Sequence, residues 1–181
     1  MTPPVDLDAA IRKVPDHPTP GILFYDLMPM FADAAALGHA VELLAEWARP
    51  LAPDVILCPE SRGFILGGAL AHALGAGFIS ARKAGRLPGQ TVRHEYALEY
   101  GLDVLEMHAD ALLPGQRVLV HDDLLATGGT AAAAIALAEG MGATVVGIGV
   151  VVELTFLPGR ERLAPHEVRS LVTYSSEAVP T

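Results

Sequence analysis

The stretch Val118-Leu-Val-His-Asp-Asp-Leu-Leu-Ala-Thr-Gly-Gly-Thr130 constrains this chain more than any other. Apolar residues lead into two adjacent carboxylates, and a run of small residues then opens onto an alanine-rich segment. That order dictates a buried strand, a tight loop and a helix. Gly128 and Gly129 let backbone approach a ligand closely, and N–H groups converge where the helix begins. Thr127 and Thr130 add hydroxyl donors, so Ala126, Thr127, Gly128, Gly129 and Thr130 are suited to cradling a phosphate. Asp122 and Asp123 would repel that phosphate. They suit ribose hydroxyls or a magnesium-bound ligand, directly or through water. An Asp-Asp pair alone commonly begins a turn and a Gly-Gly pair a helix; only the whole string points to a phosphate cradle. No Gly-Lys-Ser/Thr follows, which excludes a Walker A loop. Gly75-x-Gly77, Gly140-x-Gly142 and Gly147-x-Gly149 each lack the third glycine of a dinucleotide fingerprint.

Around this segment, apolar patterning alternates between helical and strand periods, which predicts an α/β fold with a parallel sheet core. The 181 residues fit a single domain, 1–181, without linker or repeat. Asp6 is placed to cap a helix through Val14, broken by Pro15–Pro20, and Asp33 to cap one carrying Leu37, Val41, Leu44 and Ala48. Val55–Cys58, Phe78–Ala81, Val118–Val120 and Val145–Val152 read as strands, the last buried on both faces. Phe64–Leu74 and Thr130–Glu139 read as helices. Val92, Tyr96, Leu98 and Tyr100 alternate with Arg93, Glu95, Ala97 and Glu99, a half-exposed strand. Gly101-Leu102 turns it into a return strand, Asp103–His108.

A formal charge of −9 argues against nucleic acid or an anionic membrane as the main partner. Yet Arg62, Arg82, Lys83, Arg86, Arg93 and His94 lie close together in sequence, which suits a small polyanion. Cys58 sits in an apolar run and reads as a buried hydrophobe. The N-terminus lacks the order of a secretory signal, and no apolar run is long enough for a membrane span. A soluble, cytoplasmic protein is the expectation.

The Val118–Thr130 string resembles the motif with which type I phosphoribosyltransferases bind 5-phosphoribosyl-1-pyrophosphate (PRPP). Further segments narrow the resemblance to family members that act on adenine. These are Pro20-Gly-Ile-Leu-Phe-Tyr-Asp26, Glu60-Ser-Arg-Gly-Phe64, Arg82-Lys-Ala-Gly-Arg-Leu-Pro-Gly89, Leu98-Glu-Tyr-Gly101 and Val152-Glu-Leu-Thr-Phe-Leu-Pro-Gly-Arg160. They occur in the family's order and span nearly the whole chain.

The resemblance implies a central mostly parallel sheet flanked by helices, with residues 90–108 forming a mobile antiparallel hairpin hood. It implies the reaction adenine + PRPP → AMP + pyrophosphate, a homodimer, and Mg²⁺ carried by PRPP with no direct protein ligand. Glu60, Ser61 and Arg62 match the pyrophosphate loop, where a cis Glu60–Ser61 peptide is expected. Arg82, Lys83 and Arg86 match its basic contacts, some lent across the dimer interface, Arg86 standing where Lys is usual. Glu99 matches the acid/base residue and Tyr100 its covering aromatic. Leu23, Phe24 and Tyr25 match the purine-binding stretch. There backbone groups of the first and third residues read the base edge and the second packs on the ring; Leu154 would cover the other face. Tyr25 stands where Arg is usual, and His121 where an apolar residue is usual; His121 reads as a satisfied strand-end histidine.

Two rival readings remain at this point. One is the same chemistry on a 6-oxopurine such as hypoxanthine or guanine; such enzymes read the oxo group with a late lysine, whereas the only lysines here are Lys13 and Lys83. The other is a non-catalytic PRPP sensor, which would need a basic face or an appended reader domain.

Overall fold

Alternation decides which cover each strand residue meets. On β3 (Val55–Pro59), Val55 and Leu57 join one apolar cluster while Ile56 and Cys58 join another. On β7 (Arg117–Leu125), Val118 and Val120 share the first cluster and Leu119 the second. Strands apolar on both faces need helices on both. Helix α5 (Gly129–Gly140) supplies the first cover; α3 (Ala34–Ala48) and α4 (Gly63–Leu74) supply the second.

The computed structural model describes residues 5–98 and 101–176. Its main sheet has seven strands in the order β5 (Thr91–Leu98), β6 (Gly101–His108), β4 (Gly77–Lys83), β3, β7, β8 (Thr144–Leu154) and β9 (Val168–Tyr174). Neighbours from β4 to β9 run parallel; β6 is antiparallel to β4, and β5 to β6. A separate antiparallel pair joins β1 (Arg12–Val14) to β2 (Phe24–Asp26). The expected α/β architecture is what forms. From β3 the chain passes through α4 to β4 on one side, and from β7 through α5 to β8 on the other. The loops after β3 and β7 therefore diverge and leave a crevice at the carboxyl ends, where open α/β sheets bind ligands.

Local signals act as anticipated at several points. Asp33 Oδ1 accepts from the N–H groups of Ala35 and Ala36 at 2.8 and 2.9 Å, capping α3. Gly75, at φ +67°, closes α4 in the left-handed region. Cys58 is a core residue: α4 rides so close to β3 that a Cβ on Gly67 would lie 2.2 Å from Cys58 Sγ. Burial pushes the thiol's pKa up, which keeps it unreactive. Val92 and Tyr96 pack on the first cluster while Arg93 and Glu95 are exposed, as the alternation predicts, and His94, on the inner face by parity, is exposed too.

Other elements depart from the expectation. Asp6 does cap a helix, accepting from Ala9 N–H, but α1 (Leu7–Ala10) stops short of Val14. Arg12–Val14 instead pairs with Phe24–Asp26, because an isolated short helix cannot compete with a ladder that buries its neighbours. Gly101 and Leu102 belong to β6 rather than to the turn. Helices α2 (Met28–Ala32) and α6 (Gly159–Arg162) and the strand β9 were not anticipated. Among the described residues, no helix is long and apolar enough to cross a membrane.

Candidate active site

The carboxylate pair sits where β7 reaches the crevice. Asp123 N–H donates to Asp122 Oδ1 at 2.9 Å. Burial raises the Asp122 pKa well above the ordinary carboxylate value, and the neighbouring Asp123 charge adds to the rise. Helix α4 begins directly against this turn: a Cβ on Gly63 would lie 2.9 Å from Asp122 Oδ1 and 3.2 Å from its Cα. The glycine after Arg62 is thus required by the approach of the two loops. Nothing in its own segment reveals this.

The small-residue loop follows. Gly128, at φ +77°, is the N-cap of α5, and its carbonyl accepts from Ala132 N–H at 2.9 Å. A small cavity of about 90 Å³ is lined by Asp122, Leu124, Val150 and the loop from Leu125 to Ala131. Residues 126–130 therefore surround a space at the helix N-terminus, the arrangement that favours an anion. A wider cleft of about 600 Å³ lies elsewhere, by Asp8, Lys13, His39 and Tyr174, and none of the predicted site residues lines it.

Across the crevice, Glu60 follows β3, and the Glu60–Ser61 peptide is cis, as the resemblance implied. Arg62 Nε lies 2.7 Å from Asp123 Oδ2, an ion pair whose N–H is not aimed at the oxygen. That buried oxygen has no hydrogen-bond donor among the described residues. The same guanidinium stands 5.6 Å above the Phe24 ring, which His17 meets edge-on at 5.0 Å. Arg62 thus joins the Leu23–Tyr25 stretch to the carboxylate pair.

The remaining cations are held by carboxylates. Arg82 donates to both oxygens of Glu60, at 3.2 and 2.9 Å, and the Lys83 backbone N–H adds a third bond at 3.1 Å. The Arg82 hydrogen bond holds the Glu60 pKa below its ordinary value. Lys83 Nζ pairs with Asp103 at 3.3 Å. Buried Glu106 accepts from the N–H groups of Arg86 and Leu87, at 3.0 and 3.1 Å, and from Arg93 Nε at 3.1 Å. Burial alone would raise its pKa; the backbone donors and the Arg93 charge reverse that and bring it below the ordinary value. Arg93 belongs to this support rather than to the crevice, and His94 is exposed. Tyr96 on the hairpin donates to Asp103 at 3.3 Å. Sequence reasoning missed Asp103, Glu106, Tyr96 and His17 in these roles; each gains its partner only through strand pairing or loop closure.

Leu23 is buried and Phe24 half-buried, while Tyr25 is 3% exposed and stacks on Tyr174 with ring centres 4.0 Å apart. The Tyr25 side chain thus faces the core, which leaves its backbone as the part able to meet a ligand. Leu154 ends β8 and packs on the same cluster. His121 is fully buried, its Nδ1 2.8 Å from Gly149 O and its Nε2 without a hydrogen-bond partner among the described residues. One nitrogen is satisfied, as expected, and the other is not. Glu99 and Tyr100 lie outside the described residues.

The model of the phosphoribosyl transferase domain family matches residues 30–172. An adenine phosphoribosyltransferase of Rhodospirillum centenum is 53% identical over 173 residues, 95% of this chain and 100% of the relative. The crystal structure of the enzyme of that name from Thermoanaerobacter pseudethanolicus superposes with a TM-score of 0.90 at 46% identity, over 93% of this chain and 98% of that one. The Giardia lamblia enzyme, solved with 9-deazaadenine, gives 0.89 at 38% identity over 94% and 97%. A family model spanning most of the chain, with relatives this similar end to end, makes the conclusion direct: the chain belongs to the phosphoribosyltransferase family, among its adenine phosphoribosyltransferases.

Proposed function

We propose that this chain transfers the 5-phosphoribosyl group of PRPP to N9 of adenine, giving AMP and pyrophosphate. The observation that carries the reading is the position of Arg62, which touches both the Phe24 ring and Asp123. Base stretch, leaving-group cation and sugar carboxylates then meet in one crevice. The loop 126–130 would take the 5-phosphate through its N–H groups. Asp122 and Asp123 would accept from ribose hydroxyls, for which the donorless Asp123 Oδ2 is suited. As the N9–C1 bond forms, the bond from C1 to pyrophosphate breaks, and negative charge collects on the leaving group. Arg62, Arg82 and Lys83, with Arg86 at the loop edge and Ser61 beside Arg62, would stabilise that charge. Glu60 acts through Arg82 by fixing its fork.

Phe24 would stack on the purine, with backbone groups of Leu23 and Tyr25 reading its edge and Leu154 covering the far face. Glu99 takes the proton released from N9, and Tyr100 closes over the site with the hairpin, excluding water from the sugar cation. Asp122 and Asp123, by way of the sugar hydroxyls, would hold magnesium carried by PRPP, which would neutralise charge on the pyrophosphate. We further assign a homodimer, supported by Ile65 on α4 and Phe78 on β4, each 41% exposed. Light scattering tests that assignment, a monomer at micromolar concentration refuting it.

The deciding assay offers adenine, hypoxanthine, guanine and xanthine in turn with PRPP and Mg²⁺ and follows pyrophosphate release. Release with adenine alone supports the reading. Release only with an oxopurine, or with none, overturns it.

A further inference from the structure

The phosphate loop has a back as well as a front. Behind it stands the first turn of α6, and the two backbones touch with no side chain between them. A Cβ on Gly159 would lie 2.2 Å from Ala126 O, and one on Gly128 would lie 2.8 Å from Gly159 O. Neither residue has room for a methyl group. Since Gly128 is also the N-cap of α5, any shift of Gly159 is passed into the loop that presents the converging N–H groups.

Helix α6 is a four-residue element and cannot hold its own place. Its anchor is Arg160. This guanidinium donates to Glu153 Oε1 at 2.8 Å and Oε2 at 2.5 Å, and to Val168 O at 3.0 Å. Ser170 Oγ donates to the same carboxylate at 2.7 Å. Glu153 is 3% exposed, and the Arg160 hydrogen bonds hold its pKa below the ordinary value. The planar fork on a buried carboxylate is the geometry Arg provides and Lys does not. Through the ladder, Glu153 is level with Leu125, the residue that enters the phosphate loop. The clamp therefore ties β8, β9 and α6 into one support for residues 126–130.

We infer that Gly159 and Arg160 are positioning residues for the sugar-phosphate half of the substrate: they set the shape of the phosphate loop from behind and touch no ligand. This rests on the phosphate-binding role of that loop, but not on which base the enzyme uses.

The test uses the full chain with Arg160→Gln, Arg160→Lys, Glu153→Gln and Gly159→Ala, each compared with wild type. Calorimetry with ribose 5-phosphate reads the loop alone, and steady-state kinetics read KM for PRPP and for adenine separately. Arg160→Gln is expected to weaken ribose 5-phosphate binding and raise KM for PRPP on the order of tenfold, with KM for adenine nearly unchanged. Arg160→Lys should recover part of that loss. Gly159→Ala leaves the clamp intact and should reproduce the PRPP defect, which keeps the test alive should Arg160→Gln fail to fold. Equal rises in both KM values, or unchanged ribose 5-phosphate binding in a folded Gly159→Ala variant, would overturn the inference. Failure of adenine turnover in the wild type would instead overturn the base assignment, leaving the ribose 5-phosphate result to be read on its own.

Discussion

Arg62 and Asp123 hold each other at 2.7 Å across the crevice, a cation from the loop after β3 and a carboxylate from the end of β7. On the proposed reading, pyrophosphate and ribose would want these same two groups, so PRPP would exchange one internal ion pair for contacts to both of its halves. The loop after β3 and the end of β7 are thus tied together by a pair of opposite charges.

The first prediction concerns that exchange. Arg62→Ala should lower kcat/KM for PRPP by about a hundredfold, the size expected for a group that stabilises developing charge. Arg62→Lys should recover part of the loss, since it keeps the charge without the fork. Steady-state kinetics decide it, and a Lys variant no better than Ala would show that charge is not what Arg62 contributes.

Replacing both carboxylates, Asp122→Asn with Asp123→Asn, should reduce turnover at least about a hundredfold while the circular dichroism spectrum stays native. Near-normal turnover in that protein would remove the sugar-positioning role.

Asp122 alone carries a stability signature. Its folded pKa is raised above the ordinary value of 3.8, first by burial and then by Asp123. Its contribution is complete below that ordinary value and is lost as pH rises through the folded pKa. Asp122→Asn should therefore melt higher than wild type at neutral pH, with the gap closing in acid. Thermal melts from pH 4 to 8 read this directly; a gap that widens in acid contradicts it.

How much of this was readable beforehand follows the length scale of each interaction. The Val118–Thr130 string encodes strand, carboxylates and cradle within one local stretch, so periodicity and loop chemistry were sufficient. The Arg12–Val14 strand was read as helix because its partner, Phe24–Asp26, lies across a proline-rich turn. The place of the Tyr25 ring, stacked on Tyr174 in the core, is not legible in its own segment because Tyr174 lies on β9. Glu106 and Glu153 are charged residues on strands, and their burial is visible only once the sheet and its loops enclose them. Gly159 is legible only as part of the Val152–Arg160 resemblance, since its need for glycine comes from Ala126.

His121 opens the opposite pH window. Burial lowers its pKa from 6.5 to about 4, against a smaller raising effect of the Gly149 hydrogen bond. The folded state keeps it neutral while the unfolded chain takes up a proton, so stability is lost as pH falls from 6.5 towards 4. The loss is on the order of 3 kcal/mol. A His121→Leu protein should have a flatter denaturation profile across this range, as urea titrations at stepped pH would show. Parallel profiles would mean that the imidazole is charged in the fold.

Glu106 is expected to hold the Arg86 loop closed. Glu106→Ala should expose the segment 84–90 to limited proteolysis and raise KM for PRPP without changing KM for adenine. Glu106→Gln retains an acceptor for the Arg86 and Leu87 N–H groups and should be intermediate. Uncut protein with unchanged KM would show that the loop is held by other contacts.

If the Leu23–Tyr25 backbone reads the base as proposed, the stack of Tyr25 on Tyr174 would give β9 a say in which heterocycle is accepted. Because β2 leans on β9 through this stack, a Tyr174→Ala change would loosen the backbone proposed to measure the base. An engineer seeking a broader nucleobase range has a lever there, remote from the reaction, whose effect would register as altered discrimination between bases while sugar-phosphate affinity stays constant.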